Sequence, residues 1–127
     1  MDNLAFLTGV LKQAGITVYA DLPHDVELRA FPCAGLTVVG PATTRHAFNA
    51  PGLDLEDIDV DVYSTPAAFT TGALFRQALS LRIHLLHLHR DKTSVIAASR
   101  PQRRPDRNPK IRRIGFTVTV AGPAAEL

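Results

Sequence analysis

An acidic strand pattern between residues 54 and 64 constrains the fold of this chain more than any other feature. Carboxylates alternate there with aliphatic side chains, and strand side chains point to opposite faces at every second residue. One face carries three aliphatic residues and the other three aspartates: Ile58, Val60 and Val62, and Asp57, Asp59 and Asp61. The pattern predicts a strand at about Leu55–Tyr63, in a sheet with one face covered by helices and the other charged and exposed to water.

The segment after this strand predicts one long, leucine-rich helix from Pro66 to about Arg90. Ser64 or Thr65 is a suitable N-terminal cap, and proline is favoured in the first turn because its missing N–H costs no helical bond there. At 100° per residue, the apolar residues form two adjacent stripes. The first stripe, which we expect to face the sheet, is Phe75, Leu79, Ile83 and Leu86, and the second is Leu74, Ala78, Leu81, Leu85 and Leu88.

Together these stripes cover more than half of the helix, which is wider than one face of a sheet requires. The surplus is covered either by the N-terminal helix, which leaves a monomer, or by a neighbouring subunit. Arg82 and His89 project into the apolar arc and favour a partly polar contact. We therefore expect Arg82, Leu85 and His89 to form a helix interface between subunits.

The whole chain predicts a single α+β domain, because 127 residues fit one hydrophobic core. A first helix follows Asp2 and ends near Gly15, and further strands are expected at ITVYA, LTVVG, SVIAAS and KIRRIGFTVTV. The predicted order is α-β-β-β-α-β-β, a single, mostly antiparallel sheet flanked by the N-terminal helix and the long helix. Residues 41–52 contain two prolines and a glycine and are predicted to be a loop.

The net charge of +2 hides a strong segregation of charge along the chain. Between Arg100 and Arg113 there are seven basic residues and one acid, whereas the rest of the chain has seven basic residues and eleven acids. Three prolines in the segment RPQRRPDRNP favour a mobile basic hairpin loop at about 100–110. We call residues 100–113 the basic arm.

The acidic row and the basic arm each have several uses. The aspartates suit a solvated face or one side of a subunit interface; magnesium or calcium binding and acid–base catalysis are weaker alternatives, because no supporting motif accompanies them. The arm suits a solvated loop, an acidic protein surface, or the phosphates of nucleic acid, although it has no aromatic residues for base stacking. We expect Asp57, Asp59 and Asp61 to form the acidic side of a subunit interface.

No catalytic, metal or cofactor site is predicted. His84 and His87 lie three residues apart on one helical face, a spacing that suits zinc, but the sequence supplies no evident third ligand. The single cysteine, Cys33, excludes an internal disulfide and is expected to be a small core residue. The sequence has no apolar run long enough for a membrane span and no secretory signal pattern, so cytosolic synthesis is expected.

Three segments resemble the tail terminator (tail completion) proteins of long-tailed, non-contractile bacteriophages. DVDVYSTPAAFTTGALFRQAL joins an acid-alternating strand to a long helix, RRIGFTVTV is a final strand opened by arginine, and ITVYADLP follows an N-terminal helix. The likeness rests on pattern and size and covers most of the chain. It implies a sheet flanked by helices, with no catalysis and no cofactor.

The resemblance also implies an assembly and its partners. Members of the family form a hexameric ring that caps the tail tube, ends tube polymerisation and presents a surface to the head. The implied partners are further copies of the chain, the tail tube protein, the head-side connector protein, and DNA that passes through the lumen without sequence-specific binding; no membrane is involved. The implied location is the head-proximal end of the virion tail, after synthesis in the host cytoplasm. The arm residues expected to contact a neighbouring subunit or the tail tube are Arg103, Arg104, Arg107, Lys110 and Arg112.

Two other functions stay open at the level of sequence. A head–tail connector or stopper protein is the nearest structural alternative. A small nucleic-acid-binding module that uses the basic arm is the alternative from a different class. An enzyme is the weakest of the options.

Overall fold

Three helices and seven strands are present in the part of the chain that the structure describes, which is residues 3–19, 32–47, 50–86, 88–90, 92–106 and 108–123 of a computed structural model. In chain order the elements are α1 (Asn3–Gln13), β1 (Thr17–Tyr19), β2 (Cys33–Ala47), β3 (Ala50–Ser64), α2 (Pro66–Thr70), α3 (Ala73–Leu85), β4 (His89–Arg90), β5 (Thr93–Ala98), β6 (Gln102–Arg104) and β7 (Arg112–Pro123).

The strands form one mixed sheet in the order β1-β2-β3-β7-β5-β4, and β6 also pairs with β7. The pairing of β1 with β2 is parallel and the other pairings are antiparallel. β3 and β7 are the central pair, and their register sets Val60 opposite Phe116. β5 and β6 lie one after the other along the second edge of β7, and Ser99 joins them by hydrogen bonds to Thr117.

The main core lies between one face of this sheet and the helices. Alternate residues of the central strands supply the sheet side: Ile58, Val60 and Val62 from β3, and Ile114, Phe116, Val118 and Val120 from β7. The helices supply Leu7, Val10 and Leu11 from α1 and Leu74, Ala78, Leu81 and Leu85 from α3. The predicted α+β class and the apolar face of the acidic strand are therefore confirmed.

The predicted order of elements is wrong in three places. The single long helix is two helices, because Gly72 has a φ of 81° and breaks the helical path between α2 and α3. The segment 41–52, predicted to be a loop, belongs mostly to the paired strands β2 and β3. Residues 102–104 of the arm, predicted to be loop, form β6. In residues 41–52 and 102–104, backbone hydrogen bonds to a neighbouring strand outweigh the local content of proline and glycine.

The start of the helical segment agrees with the sequence. Thr65 caps α2, since its Oγ1 accepts a hydrogen bond from the backbone N–H of Ala68 at 3.2 Å. Pro66 occupies the first turn, where its missing N–H leaves no helical bond unmade.

The rotation of α3 differs from the prediction. Leu74, Ala78, Leu81 and Leu85, the second stripe, face the core. The first stripe points away from it, and Ile83 is 70% exposed and Phe75 42% exposed. The sequence offers two adjacent stripes of similar hydrophobicity, and tertiary packing selects the second.

Two further findings concern membrane-spanning helices and the cysteine. Among the described residues, the helices are neither long enough nor apolar enough to cross a membrane. Cys33 is fully buried, as expected, and packs with Tyr63 and Ile111 in a small second cluster.

Candidate functional site

The face of the sheet opposite the helices carries the acidic row of Asp57, Asp59 and Asp61. Thr119 and Thr117 of β7 lie directly across from Asp57 and Asp59. Thr119 donates to Asp57 Oδ1 at 2.6 Å, and Thr117 donates to Asp59 Oδ1 at 2.5 Å. Threonine hydroxyls of the next strand therefore hold two of the three carboxylates in fixed positions.

Arg104 of β6 neutralises the other end of the row from within the same protomer. Its Nη1 lies 2.8 Å from Asp61 Oδ1 and 3.4 Å from Asp59 Oδ2. Gly115 lies between the two partners, since it pairs with Asp61 on one side and Gln102 on the other. A Cβ added at Gly115 would lie 2.1 Å from Asp61 Oδ1 and 2.6 Å from Arg104 Nη1. Only glycine leaves room for this ion pair across β7.

Burial makes Asp61 the most perturbed member of the row. The residue is 7% exposed, and desolvation by burial raises the pKa of its carboxyl above the ordinary value of 3.8. The positive charges of Arg104 and Arg113 oppose that rise in the pKa but do not cancel it. The carboxylate is therefore held in place at an electrostatic cost that the arginines only partly offset.

The prediction of a uniformly wet acidic face is wrong at Asp61 and only partly right at Asp59. Asp61 is buried, and Asp59 is half-buried beside Arg104. Asp57 is the exposed member of the row. The physical reason is that the basic arm of the same chain folds back onto the sheet, so a neighbour's arm is not needed to balance these charges.

Arg103 and Arg112 of the basic arm contact uncharged groups. The guanidinium of Arg103 lies over the ring of Phe69, 5.0 Å from its centroid. Arg112 Nη1 donates to the carbonyl oxygen of Pro109 at 2.7 Å. Lys110 is exposed, and Arg107 lies outside the described residues. Arg103 and Arg112 are thus held against the protomer, and neither forms an ion pair with a carboxylate of the described residues.

Arg113 closes the arm against the sheet. Its Nη2 donates to the carbonyl oxygen of Pro105 at 2.7 Å, and its guanidinium lies over the ring of Tyr63, 5.9 Å from the centroid. Tyr63 packs beside Cys33, whose burial raises the pKa of the thiol to about 11. That thiol stays protonated near neutral pH, which makes it a packing residue and a poor nucleophile.

The three residues predicted to form the helix interface lie in different environments. Arg82 donates to the carbonyl oxygens of Ser99 at 2.8 Å and Ala98 at 3.0 Å, which fastens α3 to the end of β5. Leu85 is fully buried in the core, so its predicted contact with a neighbour is wrong. His89 is exposed and hydrogen-bonded to Ser94.

The outward side of α3 carries an apolar stripe. Phe75, Leu79 and Ile83 follow one another at four-residue spacing, and Ile83 is the most exposed large hydrophobic residue among those described. We call these three residues the outer stripe. The surplus apolar surface predicted from the sequence is present, but on the stripe that was expected to face the sheet.

The structure gathers no metal-binding cluster within the described ranges, where groups of three or more His, Cys, Asp or Glu suited to a metal ion are absent. His84 is exposed on α3, and His87 lies outside the described residues.

Several residues that contact the acidic row or the basic arm were not singled out from the sequence, namely Tyr63, Phe69, Gly115, Thr117 and Thr119. A signal for the last three exists in the segment RRIGFTVTV. Its apolar residues alternate with Arg113, Gly115, Thr117 and Thr119, which is the same two-residue period as the acidic strand.

Neither a protein-family model nor a curated protein matches the chain.

Proposed function

We propose that the chain is a structural subunit of a bacteriophage tail, which assembles with copies of itself into a ring that caps the tail tube at its head-proximal end. The observation that carries this proposal is the outer stripe of α3. Phe75 and Ile83 are exposed in the protomer, and Leu79 between them is partly buried. A chain that acts alone gains nothing from such a surface, whereas a ring subunit gains binding energy from it.

The energy available from the stripe is large enough to matter for assembly. Full burial of one large aliphatic or aromatic side chain contributes about 1.5–3 kcal/mol. Ile83 keeps 70% of its surface exposed and Phe75 keeps 42%. Covering both residues with a neighbour would thus contribute a few kcal/mol, before the entropic cost of association is subtracted.

The outer edge of β2 gives a second line of support. β1 pairs with β2 only at Cys33, Ala34 and Gly35. Beyond Gly35, the described strands leave the outer edge of β2 without a partner, up to its end at Ala47. Val38 and Val39 are both exposed along this part of the strand. A sheet edge of this kind accepts a strand from another chain.

These two surfaces belong to different parts of the fold, and that favours a ring. The outer stripe lies on α3, which packs over β3, β5 and β7, whereas the free edge belongs to β2 on the far side of β3. Contacts between two different surfaces are head to tail, and such contacts close into rings when the rotation between subunits allows it. The tail tube protein, the head-side connector protein and DNA in the lumen are the partners that the proposal assigns to this ring.

Light scattering after size-exclusion chromatography, together with binding to purified tail tubes, tests the proposal. The wild-type chain is expected to form a ring-sized oligomer at high concentration and to bind tube ends. Ile83→Glu places a charge in the outer stripe and should abolish the oligomer while the protomer stays folded. His84→Glu is the matched control, because it adds the same side chain at the next, exposed position of α3 and should leave the oligomer intact.

A monomeric wild-type chain that also fails to bind tail tubes would overturn the proposal. Equal loss of assembly in both variants would assign the effect to helix α3 as a whole and remove the support from the outer stripe. Binding to the head-side connector without binding to tubes would favour the connector or stopper role instead.

A further inference from the structure

A cavity of about 140 Å³ lies between β6, the start of β7 and the segment that joins them. Four arginines line it, namely Arg103, Arg104, Arg112 and Arg113, and Asp106 is the acid in its wall. This cavity is separate from the outer stripe and from the free edge of β2, because its described lining comes entirely from residues 103–113.

The charge in the cavity wall is strongly unbalanced. Arg104 is matched by Asp61 and Asp59 on the sheet. Arg112 and Arg113 donate to backbone carbonyl oxygens, and Arg103 lies over an aromatic ring. Carbonyl groups and rings hold a guanidinium in position but do not neutralise its charge. The described wall of the cavity thus contains four arginines and one carboxylate, although Asp61 on the neighbouring strand also attracts Arg113.

The wall also contains a hydrogen-bond donor that is not used. Arg113 Nε is buried and has no hydrogen-bond partner among the described residues. Asp106 is already engaged, since its Oδ1 accepts from the backbone N–H of Asn108 at 3.0 Å. A buried donor without an acceptor is costly, so Arg113 gains from an anion bound beside its guanidinium.

The number and type of donors indicate which anion fits. A carboxylate has two oxygens and is satisfied by the fork of a single arginine, whereas a phosphate group offers more oxygens and engages several guanidinium groups at once. Several arginines in the wall of one small cavity match the larger and more highly charged group better.

We propose that this cavity is a binding site for a phosphate group, held by Arg112 and Arg113, with Arg103 in the same wall. The group is either free inorganic phosphate or a phosphodiester of a nucleic acid strand. Arg104 acts as a positioning residue, since its ion pair with Asp61 fixes β6 against β7 and so fixes one wall of the cavity. The site forms within one protomer and does not require ring assembly.

Isothermal titration in a phosphate-free buffer tests the site, with inorganic phosphate as one titrant and a short oligothymidylate as the other. The wild-type protein should bind at least one of them saturably. Arg112→Gln should weaken that binding roughly tenfold, which corresponds to about 1.4 kcal/mol. Arg112→Lys keeps the charge but loses the fork, so its affinity should fall between those of the wild type and Arg112→Gln.

Arg100→Gln is the matched control, because Arg100 is an exposed arginine of the same arm that does not line the cavity. It should leave phosphate binding unchanged. Saturable binding of phosphate alone identifies a free phosphate site. Tighter binding of the oligonucleotide, with a salt dependence whose slope falls by about one in Arg112→Gln, identifies the nucleic acid backbone as the source.

Two results would overturn the proposal. Identical affinities for wild type, Arg112→Gln and the Arg103→Gln/Arg112→Gln double variant would show that the cavity holds no phosphate. Tighter binding of a polyglutamate peptide than of an oligonucleotide of equal charge would assign the arginines to a protein partner. Either result leaves the ring proposal untouched, since that depends on Ile83 and not on the cavity.

Discussion

The two faces of the β3–β7 strand pair are built from the same two strands but are stabilised in different ways. On the helix side, Val60 and Phe116 lie opposite each other and are fully buried. On the other side, Asp61 lies opposite Gly115 and reaches across it to Arg104. The first face is held by non-directional hydrophobic burial, and the second by ionic and hydrogen bonds that need particular partners.

This difference determines how each face tolerates change. An apolar core accepts other apolar side chains of similar volume, because hydrophobic burial has no direction. A network of charged groups fails when one partner is removed, because the group left behind is buried without compensation. We therefore expect the apolar face to carry the larger share of stability and the polar face to be the more sensitive to residue identity.

Phe116→Ala should have the largest effect on stability. Phe116 is the largest fully buried side chain among those described, and its truncation leaves a cavity against α3. Such truncations cost about 3–5 kcal/mol. Urea denaturation followed by circular dichroism measures the loss. Thr119→Val, on the other face of the same strand, is the control and should cost no more than about 1.5 kcal/mol. A similar loss for both variants would show that the two faces are not distinguished by their mode of stabilisation.

Arg104→Met should cost about 1.5–3 kcal/mol, because it leaves the buried carboxylate of Asp61 without its charged partner. Arg103→Met is the control at the adjacent position, where the arginine is exposed and contacts Phe69; it should cost about 0.5–1 kcal/mol. Chemical denaturation of both variants gives the comparison. The double variant Arg104→Met/Asp61→Asn should recover part of the loss. No recovery would mean that Arg104 stabilises the fold by packing and not through Asp61.

Gly115→Ala should cost about 1–3 kcal/mol, because the new Cβ displaces the ion pair that passes over Gly115. Gly122→Ala is the matched control on the same strand, where an added Cβ makes only an ordinary contact, 3.7 Å from Thr93 Oγ1. The difference between the two free energies of unfolding isolates the crowding at Asp61. Equal values would show that Arg104 and Asp61 move aside at little cost.

The sequence was sufficient for the apolar face but not for the polar one. Strict alternation identified Ile58, Val60 and Val62 as core residues, because a two-residue period depends only on local geometry. The partner of Asp61 depends on the pairing of β7 with both β3 and β6, which brings together two residues 43 positions apart. Pairing at that separation leaves no local signal in the sequence. The same holds for α3, where two similar stripes were visible but only tertiary packing selected the one that contains Leu85.

The prediction of a loop at residues 41–52 was wrong for a related reason. Gly40 has a φ of 72°, and the β2–β3 register shifts between Val39 and Thr43. The glycine and proline at positions 40 and 41 thus mark an irregularity within a strand, which such residues often do. From sequence alone, the same residues are equally typical of a turn.

The smallest expected effect is on the pH dependence of stability, and it tests the balance of forces at Asp61. Burial raises the pKa of this carboxyl in the folded protein above its ordinary value of 3.8, and Arg104 opposes the rise. At pH values between the ordinary pKa and the raised pKa of the folded protein, the folded state binds more protons than the unfolded chain. The contribution of Asp61 to stability is therefore lost as the pH rises. The stability of the wild type relative to Asp61→Asn, which cannot titrate, should therefore fall as the pH rises from about 4 towards neutrality.

Arg104→Met makes this comparison sharper, because the opposing charge is removed and the pKa of Asp61 should rise further. The stability of Arg104→Met relative to the double variant Arg104→Met/Asp61→Asn should then fall more steeply with rising pH than the stability of the wild type relative to Asp61→Asn. Urea denaturation at several pH values measures both slopes, and Asp57→Asn controls for the loss of one exposed carboxylate from the same row. A wild type that gains stability relative to Asp61→Asn as the pH rises would show that attraction to Arg104 outweighs burial, and that the polar face stabilises the fold by charge pairing.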